Sequence, residues 1–123
     1  MKIFAASTAV LLGSALLAGC GQEPVSFKSN VKPILDANCA ECHIGNGAGL
    51  QKSGLSMESY ESLMRGTKFG SVVKPGDSVG STLNILVEGR ADPSIKMPHG
   101  KRALTPEEIA TLKNWVDQGA KDN

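Results

Sequence analysis

Apolar positions follow two different patterns along this chain. From Ile3 to Ala18 they form a nearly continuous run of apolar and small residues, centred on Leu11, Leu12, Leu16 and Leu17 and free of charge. Beyond Phe27 they recur at spacings of three and four, the mark of one buried helical face. Val31, Ile34 and Leu35 form the first such face, and Pro33, tolerated only in a first turn, places the start of that helix near Asn30. Ile44 to Leu55 carries four glycines and reads as a loop wrapped around something. Ser56 is the expected N-cap of a second helix, with Met57, Tyr60, Leu63 and Met64 as its apolar face and Gly66 as its stop. After a loop through Lys74-Pro75-Gly76-Asp77, either Asp77 or Ser78 is expected to cap a third helix carrying Val79, Leu83, Leu86 and Val87 and ended by Gly89. Thr105-Pro106-Glu107-Glu108 is a capping box with proline at the first helical position; Ile109, Leu112, Trp115 and Val116 follow as an apolar face, and Gly119 is the stop. No alternating strand pattern, internal repeat or low-complexity tract is present. The pattern predicts an all-α fold of about four short helices with long loops.

The N-terminal run is shorter than the roughly 20 apolar residues a spanning helix needs, and Lys2 precedes it, so it reads as the core of a secretory signal peptide rather than a retained anchor. It ends in Leu17-Ala18-Gly19-Cys20, which resembles the lipobox of bacterial lipoproteins. That resemblance implies cleavage before Cys20, lipidation of its thiol and removal of residues 1–19. The alternative is an ordinary small-residue cleavage site with an incidental thiol. Residues 20–25 then form the lipidated cysteine and a short polar tether, and residues 26–123 the folded domain. Gly21 after the cysteine, instead of aspartate, matches outer-membrane sorting in the enteric pattern, with the domain in the cell envelope facing the periplasm.

Export also resolves the odd count of three cysteines: Cys20 takes lipid, leaving Cys39 and Cys42 as a pair. Removing residues 1–19 takes away Lys2 alone and leaves 12 basic and 12 acidic side chains. Such a balance excludes a polyanion-binding protein, so nucleic acid is not expected as a partner. Aromatic residues make up only 4% of the chain. Four short helices with so few rings make a thin core, and a buried apolar cofactor would supply interior surface at about 25 cal/mol per Å² removed from water.

Cys39-Ala40-Glu41-Cys42-His43 is the C-x-x-C-H haem attachment signature. Two thiols three residues apart at a helix end lie on one side and reach the two vinyl groups on one edge of a porphyrin, and the adjacent imidazole projects under the iron. Cys39 and Cys42 are therefore the expected thioethers and His43 the proximal ligand. Three readings compete. A thioredoxin-like pair needs a β-α-β setting, a structural zinc site needs further paired ligands, and a plain disulfide is strained at this spacing. The distal ligand is expected on a loop far along the chain. Met97, in Lys96-Met97-Pro98-His99-Gly100, sits in a polar, proline-bracketed loop where a packing methionine has little reason to be, whereas Met57 and Met64 read as core. His99 is the rival ligand, and an open iron the third possibility. Trp115 reads as core, with a haem propionate as the alternative partner of its indole N–H.

Over nearly its whole mature length the chain resembles the single-haem class I cytochrome c domains, and more narrowly the planctomycete-type cytochrome c family. The matching stretches are Val31-Lys32-Pro33-Ile34-Leu35, the haem motif, Lys74-Pro75-Gly76-Asp77-Ser78, Met97-Pro98, and Thr105 to Ala120. The resemblance implies a cytochrome c-like fold around one covalently bound haem, with terminal helices crossing beside it, His43 proximal and Met97 distal. The Gly-Pro pair that follows the motif in mitochondrial-type relatives is missing, so the carbonyl that orients His43 is unassigned. An iron with both axial positions filled suits outer-sphere electron transfer, and the expectation is a membrane-anchored carrier of single electrons and not an enzyme. The alternative is a non-carrier haem module, either a sensor or an accessory subunit of a larger redox complex. Lys96, Lys101 and Arg102 form a candidate docking patch for an acidic redox protein.

Overall fold

The computed structural model describes residues 21–123, so the expected signal peptide and Cys20 lie outside the described residues. Ser26 caps a π-helical turn, Phe27–Val31, that runs directly into α1, Lys32–Asn38. The remaining elements are α2, Ala40–His43; α3, Ala48–Ser53; α4, Tyr60–Arg65; α5, Thr82–Val87; a 3₁₀ turn, Pro93–Ile95; and α6, Pro106–Asp117. Among the described residues there is no strand, only an isolated bridge between Thr67 and Gly70, and no helix is long and apolar enough to cross a membrane. The all-α expectation holds, with six short helices in place of about four.

Each departure from the sequence pattern has a local cause. The first helix begins at Phe27, before Asn30, because the turn ahead of Pro33 widens: the Val31 N–H bonds to the Ser26 carbonyl and the Lys32 N–H to that of Phe27, five residues back. A proline that offers no N–H and crowds the carbonyl four residues earlier is accommodated by such a turn. The N-cap of α4 is Ser59 and not Ser56, since the backbones of Leu55 and Met57 are hydrogen-bonded to His43. Ser81 precedes α5, not Asp77 or Ser78. The Asp77 carboxylate accepts from the Gly80 N–H at 2.7 Å, and Ser78 N–H donates to Asp117. That turn leaves Val79, expected on the apolar face, 68% exposed.

The core lies where the two ends of the domain cross. Val31 and Leu35 are buried with Leu112, Trp115 and Val116 of α6, and Phe27 stacks against both Tyr60 and Trp115 with ring centroids 5.3 and 5.5 Å apart. Tyr60 donates to the Ala120 carbonyl at 2.8 Å, and the Trp115 indole N–H to that of Lys121 at 2.9 Å. Trp115 is thus a core residue, and a propionate is not its partner. The α6 capping box forms as expected: Thr105 accepts from the Glu108 N–H, and Glu108 accepts from that of Thr105. Asn84 is fully buried on α5 with neither side-chain polar atom bonded to protein, and nothing in the structure accounts for a desolvation penalty of about 1–3 kcal/mol there.

Candidate functional site

Three of the four aromatic rings in the described chain are in that crossing, and the fourth, Phe69, is 84% exposed. The other half of the domain therefore buries no Phe, Tyr or Trp among the described residues, and it contains a largely apolar cleft of about 450 Å³. Leu55, Met57, Val72, Leu83, Leu86 and Val87 form its apolar wall. Cys39, Cys42, His43, Met97 and His99 line the same cleft, so residues more than fifty positions apart in sequence converge there.

On the attachment side, α1 and α2 meet at Cys39, whose backbone turns out of helical geometry between them. Burial pushes the Cys39 thiol up to about 11, with Lys101 opposing the shift. A redox-active thiol needs the reverse, a lowered value that populates thiolate. With no strand to supply a β-α-β setting, and no cluster of three or more His, Cys, Asp or Glu among the described residues, the thioredoxin and zinc readings both fail. Neither cysteine is in a disulfide.

His43 is buried and fixed from two directions. Its Nδ1 lies 3.1 Å from the Leu55 carbonyl, and its own carbonyl accepts from the Met57 N–H at 2.9 Å. An imidazole that donates from Nδ1 presents Nε2 as a lone pair, the arrangement a metal-binding histidine needs. The orienting carbonyl that sequence reasoning left unassigned is that of Leu55. It follows α3, a helix closed by Gly54 at φ +78°. That glycine was the available signal: one with positive φ just past a helical run is a C-terminal stop, but the glycine-rich composition of 44–55 hid the helix.

Gly49 on α3 packs against the ring. A Cβ there would lie 2.8 Å from both Cε1 and Nε2 of His43. Alanine in a helix interior ordinarily stabilises by about 0.5–1 kcal/mol relative to glycine, whereas forcing an atom into a packed site costs about 1–3 kcal/mol. The second effect should win: Gly49→Ala is expected to lower the unfolding free energy in a denaturant titration, and a rise would show that the ring moves aside freely.

Across the cleft, the Met97 N–H donates to the Leu86 carbonyl at 3.2 Å, and the half-buried side chain packs against the core. His99 is exposed. Two ion pairs pin this loop. Lys101 pairs with Glu41, inside the C-x-x-C-H motif, and Arg102 grips both oxygens of Glu108 at 2.9 and 3.0 Å. The Arg102 guanidinium, with the Thr105 N–H, holds the Glu108 carboxyl down to about 2. Two of the three cations expected to form a docking patch are thus committed to the loop's own architecture; Lys96 is exposed.

Against known proteins, a family model described as Planctomycete cytochrome C matches residues 39–99, from the first motif cysteine to His99. The chain carries a planctomycete-type cytochrome c domain. It is also 26% identical over 126 aligned positions to hydrazine synthase subunit alpha of Kuenenia stuttgartiensis, an alignment covering 81% of this chain and 16% of that subunit. The solved structure of Kuenenia stuttgartiensis hydrazine synthase contains the same fold, with a TM-score of 0.54 at 22% identity over 78% of this chain and 16% of the other. The chain therefore spans about one sixth of the relatives it matches.

A cytochrome c domain implies covalent haem c, and the residues of the cleft fit that group. The volume lies within the roughly 300–1,000 Å³ usual for cofactor sites. Both thiols and a pre-oriented imidazole face one side of an aliphatic cavity, and a thioether lines it from a distant loop.

Proposed function

We propose that this protein binds one haem covalently through Cys39 and Cys42, with His43 and Met97 as axial ligands, and carries single electrons at the surface of a cell-envelope membrane. Haem bound there supplies a one-electron couple. His43 would present Nε2 to the iron while the Leu55 carbonyl holds its Nδ1 proton, which fixes the tautomer and raises the ring's basicity. Met97 would supply sulfur from a loop anchored at both ends, so little motion accompanies a change of charge at the site. The aliphatic wall limits water and disfavours added positive charge, which, with a thioether ligand, favours the reduced state and a positive potential. The observation that carries this reading is the convergence of both cysteines, an oriented His43 and Met97 on one cleft. Among the described residues no second side chain is placed there as a buried acid or base, and the exposed His99 is a poor candidate for peroxide chemistry. The partners would be redox proteins, and lipid on Cys20 would hold the domain at the outer membrane facing the periplasm, with residues 26–123 as the haem domain.

The similarity to one sixth of hydrazine synthase subunit alpha favours a second reading, an accessory haem module within a larger redox complex. Carbon monoxide mixing separates a closed iron from an open one. The reduced carrier should bind the gas slowly or not at all, because Met97 must first dissociate; rapid binding at the rate of an open site would count against a carrier.

A further inference from the structure

The expected tether is much shorter than it reads in the sequence. The Gln118 side-chain amide clamps it from both sides, accepting from the Val25 N–H at 2.8 Å and donating to the Glu23 carbonyl at 3.1 Å. Asn123 continues the seam: its side-chain oxygen accepts from the Phe27 N–H at 2.9 Å, and its backbone oxygen accepts from Lys28 N–H and the Ser26 hydroxyl at 3.0 and 2.7 Å. Phe27 itself is buried against Trp115 and Tyr60. From Glu23 onward the chain is therefore hydrogen-bonded to the domain, and only Gly21 and Gln22 separate that contact from Cys20.

We propose that the corner built from residues 22–28 and 118–123 is a membrane-facing surface that holds the domain in one orientation on the bilayer, an inference that rests on lipidation of Cys20. From Cys20 to Glu23 is three residue steps, which reach at most about 11 Å fully extended. A domain of about 100 residues has a radius of gyration near 13 Å, so this leash is too short to let the protein roll another face onto the membrane. The lipid surface stays within that radius at every moment. Charge on the corner is balanced, Lys28 and Lys121 against Glu23 and Asp122, so the leash and not electrostatic attraction sets the orientation, which should be insensitive to salt and to anionic lipid. No residue of the corner lines the haem cleft, so resting on this face leaves the cleft accessible to a soluble partner.

Photo-crosslinking tests the orientation. A benzophenone amino acid is placed singly at Lys121 in the corner, at Phe69, and at Ile95 on the cleft rim, in full-length protein matured in cells and reconstituted in phosphatidylcholine vesicles. The expected result is several-fold more crosslinking to lipid at Lys121 than at Phe69 or Ile95, unchanged when salt is raised or anionic lipid added. Inserting about 20 glycine and serine residues between Gln22 and Glu23, with a root-mean-square span of about 25 Å, should erase the difference while leaving the fold intact. Equal crosslinking at all three positions in the native-length protein would overturn the orientation, as would preferential crosslinking at Phe69. The mass of the N-terminal peptide separates the two ideas: an acylated Cys20 with random crosslinking refutes the orientation alone, and an unmodified Cys20 refutes the anchor beneath it.

Discussion

Replacing Cys39 and Cys42 together by alanine is expected to remove all acid–acetone-resistant haem from protein matured in a host with cytochrome c assembly machinery, while the wild type retains its haem in the pellet. The effect on the fold should be equally large. A wall of aliphatic side chains around about 450 Å³ is not a stable surface in water. Without haem those apolar side chains stay exposed to water, and a small domain has only about 5–15 kcal/mol of stability from which to offset that loss. The double variant should therefore accumulate poorly and lose its cooperative unfolding transition, as followed by circular dichroism. Each single variant keeps one thioether and should fall between. Haem that resists extraction in the double variant would sink the covalent reading outright.

What the sequence made legible follows from which interactions are local. The Thr105–Glu108 capping box and the Gly66 and Gly119 stops are each decided within a few residues, and each stands in the structure. Met97 could be singled out because a methionine in a polar loop is out of place, an argument that needs no tertiary information. The misplaced boundaries have the opposite origin. Met57, Tyr60, Leu63 and Met64 do share helical spacing, but a contact between distant segments, Leu55 and Met57 on His43, pulls the first of them out of the helix. The same contact supplies the orienting carbonyl, and a backbone atom has no signature in side-chain identity. Lys101 and Arg102 looked like free surface charge for a related reason. Their partners, Glu41 and Glu108, are assigned only once the loop has folded back against α2 and α6. The scarcity of aromatic residues was legible as a thin core, but only the structure shows that three rings gather at one crossing, which leaves the opposite half without buried Phe, Tyr or Trp and open for a macrocycle.

Met97→Ala is expected to change the chemistry of the site strongly while leaving the haem attached. Thioether sulfur stabilises the ferrous state, imidazole would lower the potential, and a missing ligand would admit small molecules. The variant should lose the weak long-wavelength sulfur-to-iron band of the oxidised protein, fall substantially in reduction potential and bind carbon monoxide quickly once reduced. The fold should survive, because the loop is held by the Lys101–Glu41 and Arg102–Glu108 pairs and not by the methionine side chain alone. His99→Ala serves as the contrast. His99 is exposed although it touches the same cleft, and its removal should leave band, potential and gas binding near their wild-type values. If the two substitutions exchange their effects, the iron is held by two histidines and its potential is low. A sensor or a low-potential relay then replaces the carrier as the better reading of the domain.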